Sequence, residues 1–190
     1  MSGGIAQLVA VGAQDAHIVG NPEVSFFRST YKRHTNFAQT VEKQVIQGNP
    51  ATNGMSTVRF ERKGDMLGHV YITNRSPANS TRVGWKNQIK KVELLIGGQV
   101  IDTQTSEFSQ EIAPVMLSQT YSKSLAAAAA DKSAVYPLRF SFCENAQSAL
   151  PLIALQYHDV EIRISWNAVS ATDYEVHAQF VYLDTDERTA

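Results

Sequence analysis

The stretch HDVEIRISW, residues 158–166, decides the fold class because apolar and polar residues alternate along it. Successive side chains of a β-strand point to opposite faces of the sheet. One face therefore carries Val160, Ile162, Ile164 and Trp166, and the other carries Asp159, Glu161, Arg163 and Ser165. His158 falls on the apolar face and the carboxylates of Asp159 and Glu161 fall on the opposite face. His158 therefore cannot join them in one metal site or acid–base pair. The stretch predicts a half-buried strand with a charged outer face, where Glu161 and Arg163 pair with neighbouring strands.

Other segments add to the strand signal. In KKVELLIGGQVID, residues 90–102, alternation precedes Gly97-Gly98, which supplies the positive φ angles of a two-residue hairpin turn. The remaining candidate strands are QTVEKQVIQGNP (39–50), STVRFERKGD (56–65), GHVYITN (68–74), YPLRFSF (136–142) and VHAQFVYLD (176–184). A turn around Gly64-Asp65 joins the second and third of these. Seven or more short strands predict an antiparallel β-sandwich or barrel.

One helix is predicted in TSEFSQEIAPVMLSQTYS, residues 105–122. Its apolar residues recur near the 3.6-residue period, and Ser106 is positioned as the N-cap. Pro114 is expected to kink or split this helix because proline lacks the backbone N–H that continues it.

Composition excludes several classes of function. The chain has 190 residues and a formal net charge of -1, which suits one domain and gives no electrostatic case for specific nucleic-acid binding. Cys143 is the single cysteine, so it is expected to be a buried packing residue. The five histidines are scattered and no nucleotide-binding or hydrolase motif occurs. We therefore expect no catalytic residue, no metal and no cofactor.

The N-terminal residues form a separate segment. Residues 1–25 are glycine-rich and mildly apolar, without a basic secretion-signal region, and we interpret them as an extended arm preceding a domain at 26–190. The run RSTYKRH, residues 28–34, is a basic patch containing Tyr31 and preceded by Phe26 and Phe27. Contacts with a neighbouring protein chain are favoured over contacts with phosphates because the overall net charge is small.

Asn74 and Asn79 both match the N-glycosylation pattern within the polar segment TNRSPANST, which is expected to be an exposed loop.

Two longer stretches carry a family resemblance. The arm signature runs GNP, FF and then YKRHTNF between residues 20 and 37, and the second signature, LPLIALQYH, covers residues 150–158. Together with FVYLDTDER at 180–188, they resemble the major capsid proteins of nucleocytoplasmic large DNA viruses, in the phycodnavirus and mimivirus-like branch. The resemblance runs from near residue 3 to the end of the chain.

The resemblance implies a structural role. The family fold consists of two eight-stranded jelly rolls in tandem, and three copies form a capsomer of an icosahedral shell over an internal membrane. This implies a single antiparallel eight-stranded jelly-roll β-sandwich here, matching the first roll, with the extended arm and one or two short helices. The implied partners are other copies of the chain in a trimer, minor capsid proteins and the internal membrane. The implied location is the virion capsid, assembled in the host cell cytoplasm.

The resemblance also assigns an assembly interface to the arm and to its junction with the first strand. The matching residues are Gly20, Asn21, Pro22, Phe26, Phe27, Tyr31, Arg33, Asn36 and Phe37. The sequence stops at DERTA, where a family member continues into a second roll. Two readings are open: the first roll of a longer protein, or a single-roll relative. A lone roll is expected to expose a sizeable apolar face.

Two other functions make different predictions. A single-roll minor capsid or glycan-binding module needs exposed aromatic side chains, for which Trp85, Trp166 and Tyr174 are candidates. The alternation of residues 158–166 already places Trp166 on the apolar face. A metal-dependent jelly-roll enzyme needs histidines converging on one face, and the spacings provide no such set.

Overall fold

The computed structural model describes residues 3–10, 12–74, 84–116, 135–169 and 173–190. The chain divides into two compact units, Met1–Thr35 and Asn36–Ala190. The division falls ten residues after the arm boundary predicted from the sequence. The first unit contains helices α1 (Gly3–Val9) and α2 (Asp15–Val19). The predicted extended arm is therefore partly helical. No helix in the described ranges is long and apolar enough to cross a membrane.

The second unit is built from short strands. Their bounds are β1 Phe37–Gln44, β2 Ile46–Gln47, β3 Met55–Arg59, β4 Met66–Asn74, β5 Ile89–Ile96, β6 Gln99–Thr105, β7 Val135–Pro137, β8 Leu150–Pro151, β9 Val160–Trp166 and β10 Tyr174–Leu183. Its helical segments are α3 Trp85–Gln88, a π-helical turn Phe108–Ile112, α4 Ala113–Met116, 3-10 turns Ser141–Cys143 and Leu152–Ala154, and α5 Thr185–Thr189.

The strands form two antiparallel sheets. The first has the order β1-β10-β4-β7, with β8 also pairing with β4, and the second has the order β2-β3-β9-β5-β6. The predicted antiparallel β-sandwich is confirmed. The described residues form ten β segments, two of them only two residues long, so the predicted number of eight strands is not confirmed.

The core lies between the inner faces of the sheets. Val176, Ala178 and Phe180 of β10 are fully buried, as are Ile162 and Ile164 of β9. The predicted alternation along both strands is confirmed by this burial. His158 departs from it: it is exposed and precedes β9, because the strand begins only at Val160.

The β5–β6 hairpin is confirmed. Gly97 and Gly98 have φ angles of 60° and 82°, values that glycine adopts without the steric cost of a side chain. The predicted connection around Gly64-Asp65 joins β3 to β4, and it crosses from the second sheet to the first. The connecting segment passes so close to β10 that a Cβ at Gly64 would lie 2.8 Å from the Cβ of Phe180.

The predicted helix is present but begins differently. The Thr105 hydroxyl accepts a hydrogen bond from the Phe108 N–H at 3.3 Å, whereas the Ser106 hydroxyl donates to the carbonyl of Ile89. The helix is interrupted, as expected near Pro114: residues Phe108–Ile112 form a π-helical turn directly before α4. Residues 117–122 of the prediction lie outside the described residues.

Candidate assembly surfaces

The first unit exposes many large apolar side chains. Phe26 and Phe27 are each 99% exposed and Tyr31 is 90% exposed. Ile5, Leu8, Val9, Ile18, Val19 and Val24 are exposed as well. The sequence places Arg28, Lys32 and Arg33 beside the aromatic residues, with no carboxylate between Glu23 and Glu42. The surface is apolar and basic, a combination suited to binding a macromolecule.

The predicted arm residues lie in three places. Gly20 ends α2, and its N–H donates to the Ala16 carbonyl at 2.9 Å. A Cβ at Gly20 would lie 2.4 Å from that carbonyl oxygen, so this close approach requires glycine. Asn21, Pro22, Phe26, Phe27, Tyr31, Arg33 and Asn36 follow outside regular structure and are exposed. Phe37 is the first residue of β1 and is 63% exposed.

Phe37 belongs to an apolar patch on the outer face of the first sheet. In the β1–β10 register it pairs with Leu183, and in the β10–β4 register Val181 pairs with Met66. Val41 lies on the same side of β1 as Phe37. Phe37 and Val41 are exposed, while Met66, Val181 and Leu183 are half-buried. We call these five residues the outer patch. Sequence reasoning identified only Phe37, because the patch depends on pairing between strands far apart in the chain.

The opposite end of this outer face is polar. Lys43 Nζ lies 2.7 Å from Glu175 Oε1, and His177 Nε2 lies 3.3 Å from Glu175 Oε2. The Tyr71 ring stacks on the His177 ring with a centroid distance of 5.1 Å. The second sheet carries a similar network, with Glu93 held by Lys91 at 2.7 Å and by Arg163 at 3.6 Å. The predicted pairing of Arg163 is confirmed. Exposed apolar residues on the described sheets include those of the outer patch and Met55, Val100 and Ile101 of the second sheet.

The helix after β6 exposes a further apolar stripe. Phe108, Ile112 and Met116 are spaced four residues apart and are 38%, 50% and 74% exposed. The spacing places them on one side of the helical segment.

The LPLIALQYH signature is a turn segment rather than a strand. Only Leu150 and Pro151 pair with β4, and Leu152–Ala154 form a 3-10 turn. The Arg62 guanidinium holds the turn by donating to the carbonyls of Gln156 and His158, each at 2.8 Å, and to that of Leu155. Within the described fold, the signature forms the turn before β9 that Arg62 holds in place.

Asp65 ties the same region to the end of β10. Its carboxylate accepts a hydrogen bond from the Leu183 N–H at 2.7 Å and lies 3.2 Å from Arg188 Nε. Its carbonyl accepts from the Leu152 N–H at 2.9 Å. Sequence reasoning missed Arg62 and Asp65, because their partners are about 90 to 120 residues away and no local pattern marks them.

An open groove of about 830 Å³ lies beside Asp65 and is lined partly by cations. Arg62 is bound by the carbonyls of the turn, Arg188 by Asp65, and Lys63 lies 2.6 Å from Glu42 and 3.0 Å from Glu61. The hydrogen bond to Glu42 is the main cause that raises the pKa of Lys63 above its ordinary value. These ion pairs and hydrogen bonds give the groove no cation dedicated to an anionic ligand.

Cys143 is buried, as predicted, and its burial raises the pKa of the thiol from an ordinary value of 9.0 to about 11. A nucleophilic cysteine needs a lowered pKa and access to solvent, so this environment is that of a packing residue. The described ranges contain no group of three or more potential metal ligands.

The aromatic candidates for glycan binding are buried. Trp85 is fully buried, Trp166 is 1% exposed and Tyr174 is 7% exposed. The Tyr174 ring packs against both tryptophans in the core, with centroid distances of 6.3 Å to Trp85 and 4.5 Å to Trp166. A carbohydrate platform requires exposed rings, so these residues do not favour the glycan-binding alternative.

Asn74 corrects the expectation of an exposed glycosylation loop. It is the last residue of β4 and only 3% exposed, and its side-chain amide donates to Gln88 Oε1 at 3.0 Å. The nitrogen that would carry a glycan is therefore turned into the protein. Asn79 lies outside the described residues.

Comparison with known proteins identifies the family of this scaffold. A family model described as "Major capsid protein N-terminus" matches residues 25–184. The chain belongs to this major capsid protein family. The resemblance found in the two signatures is confirmed by the match.

Relatives in the family come from large DNA viruses. The major capsid protein of Pyramimonas orientalis virus is 36% identical over 217 residues, an alignment covering 99% of this chain and 55% of that protein. The major capsid protein of Paramecium bursaria Chlorella virus 1 is 31% identical, with 100% of this chain and 50% of that protein covered.

A solved structure of VP54 from the same Chlorella virus matches with a TM-score of 0.70 and 25% identity, covering 87% of this chain and 47% of that chain. The match confirms the jelly-roll interpretation of the sandwich. The chain spans about half the length of the relatives it matches.

Proposed function

We propose that the chain is a structural capsid protein that self-associates through its N-terminal arm. The observation that carries the proposal is the aromatic and basic segment that directly follows the arm, with Phe26 and Phe27 each 99% exposed, in a member of the major capsid protein family. Burying each aromatic side chain in an interface would contribute about 2 kcal/mol, enough for three of them to offset a large part of the cost of association.

In this proposal the roll is a rigid body, and the arm binds one copy of the chain to a neighbouring copy. The arm would comprise residues 1–25 with the interface continuing to Phe37, and residues 26–190 would form the first of two rolls in a longer protein. Three copies would form a capsomer of the virion shell, assembled in the host cytoplasm, with minor capsid proteins and the internal membrane as further partners. The half-length match to the relatives supports the two-roll arrangement.

The test is the mass of the purified chain by light scattering after size exclusion. We expect a species near 63 kDa for three chains of 20.9 kDa each, and a shift toward monomer when residues 1–25 are removed. A full-length variant with Phe26→Ser, Phe27→Ser and Tyr31→Ser should dissociate as well.

A matched control changes exposed apolar residues outside the arm. Val100 and Ile101 of β6 are 48% and 58% exposed, and their replacement by serine should leave the mass unchanged. An oligomer that is indifferent to the arm substitutions would contradict the role of the arm, and a monomer at all concentrations would contradict self-association by this roll alone.

A further inference from the structure

The arm of one copy needs a receiving surface on another, and the outer patch has the required chemistry. Phe37 and Val41 are 63% and 50% exposed on the outer face of an edge strand. Phe37 pairs with the half-buried Leu183, Val181 pairs with Gln39, and the hydrogen-bonded side chains of Gln39 and Gln179 lie between Phe37 and Val41. Elsewhere this sheet face is closed by ion pairs and by the Tyr71–His177 stack. The patch is thus the apolar opening in an otherwise polar sheet face.

The charges beside the outer patch indicate which segment binds there. The outer patch is bordered by the segment Asp184–Glu187, which directly follows Leu183 and carries Asp184, Asp186 and Glu187, all exposed. Residues 26–33 carry the complementary charge, because Phe26 and Phe27 are followed by the cations Arg28, Lys32 and Arg33. An apolar patch beside carboxylates therefore complements aromatic residues beside cations, which favours correct pairing and register.

The length of the outer patch and α5 together matches the length of the segment proposed to bind them. Phe37 and Val41 are four residues apart on one strand, about 13 Å, and α5 continues beyond the patch for about 7 Å. An arm segment from Phe27 to Arg33 spans at most about 20 Å. One segment can therefore cover the patch with its aromatic residues while its cations reach the acidic helix.

The proposed self-association makes a neighbouring copy the occupant rather than the chain's own arm. Phe27 lies only ten residues before Phe37, so reaching its own patch would require the chain to reverse direction within that short span. From the patch and the bordering charges, we infer that residues 26–33 of one copy dock on the outer patch and the Asp184–Glu187 segment of a second copy. The inference rests on the proposed function and names the two sides of its contact.

Cysteine cross-linking of full-length chains tests the contact. One chain carries Phe27→Cys and a differently tagged chain carries Val41→Cys, while the native Cys143 is buried in both. Under mild oxidation the mixed pair should form a disulfide-linked heterodimer about tenfold faster than a control pair, because docking raises the effective concentration of the two thiols. The control replaces Val41→Cys by Thr103→Cys, an exposed strand position in the other sheet.

Charge reversal adds a second readout. Asp186→Lys with Glu187→Lys in the receiving chain should slow the cross-link, as should Lys32→Glu with Arg33→Glu in the arm. Combining the two pairs should restore much of the rate, since the attraction is re-formed with opposite signs. Asp184 is left unchanged because it accepts the Thr185 N–H at the start of α5.

Each outcome separates the inference from the proposed function. Oligomers by light scattering with equal cross-linking at positions 41 and 103 would overturn the outer patch as the receiving surface while leaving self-association intact. Monomers without a cross-link would overturn both. A chain carrying both Phe27→Cys and Val41→Cys that closes within a monomer would show that its own arm occupies the patch and overturn the inference.

Discussion

Replacing Asp65 by alanine should destabilise the roll more than any ordinary surface charge would. The carboxylate is 12% exposed and accepts the Leu183 N–H at 2.7 Å, so its removal leaves a partly buried donor without this acceptor, at a cost of about 1 to 3 kcal/mol. Loss of the pair with Arg188, whose side chain is 47% exposed, adds less than about 1 kcal/mol. We expect the free energy of unfolding to fall by about 2 kcal/mol.

Two matched variants separate the contribution of the Leu183 hydrogen bond from that of the Arg188 ion pair. Asp65→Asn keeps an oxygen that can accept the Leu183 N–H and should cost about half as much, while Arg188→Ala removes only the exposed partner and should cost less than about 1 kcal/mol. Urea unfolding of the full chain measures all three. With a slope of about 2 kcal/mol per molar urea, Asp65→Ala should lower the midpoint by about 1 M. A shift for Arg188→Ala equal to that for Asp65→Ala would refute the reasoning, because the exposed ion pair would then dominate.

Three further perturbations test other parts of the fold. Gln88→Leu removes the oxygen that accepts from Asn74 at 3.0 Å and from the Tyr174 hydroxyl at 2.7 Å, so it should lower the unfolding free energy by about 2 to 4 kcal/mol, whereas Gln39→Leu on the exposed face should change it little. Gly64→Ala places a Cβ 2.8 Å from the Cβ of Phe180 and should lower the free energy of unfolding, measured in urea, by about 1 to 3 kcal/mol. An unchanged free energy would mean that the segment joining β3 to β4 can shift without cost. Cys143 has a thiol pKa raised to about 11 by burial, so native chain at pH 8 should react with a thiol reagent about a hundredfold more slowly than urea-unfolded chain.

The same thiol predicts a pH dependence with a definite sign. The unfolded thiol ionises near 9.0 and the folded thiol near 11, so the stabilisation is complete below pH 9 and is lost as the pH rises toward 11. Thermal unfolding of the native chain and of Cys143→Ala should therefore converge over that range. A constant difference between them from pH 8 to 11 would contradict the burial argument.

Local sequence patterns predicted the elements whose structure has a local cause. Alternation identified the buried face of β9 and that of β10, and Gly97-Gly98 identified the hairpin, because strand pleat and turn geometry depend on neighbouring residues. His158 was misplaced because alternation alone does not show where a strand begins.

The features that sequence could not predict depend on distant partners. Asn74 has the sequence of an exposed loop residue, but Gln88 and Tyr174 provide it with a buried polar environment. The outer patch requires β1, β4 and β10 to be aligned. The proposed assembly role of the arm came from the family resemblance, because periodicity and composition alone left it open.

The order of the first sheet has a consequence for how the chain is made. β10 lies between β1 and β4, so Phe37 finds its partner Leu183 only after 146 further residues have been synthesised. At about 5 to 20 residues per second, a ribosome takes about 7 to 30 s to cover that distance. Until β10 is made, the edge of β1, and that of β4 once it is synthesised, lack the strand that pairs with both. Unpaired strand edges of this kind can pair with another nascent chain, so late synthesis of β10 makes the first sheet the part of the fold most open to mispairing.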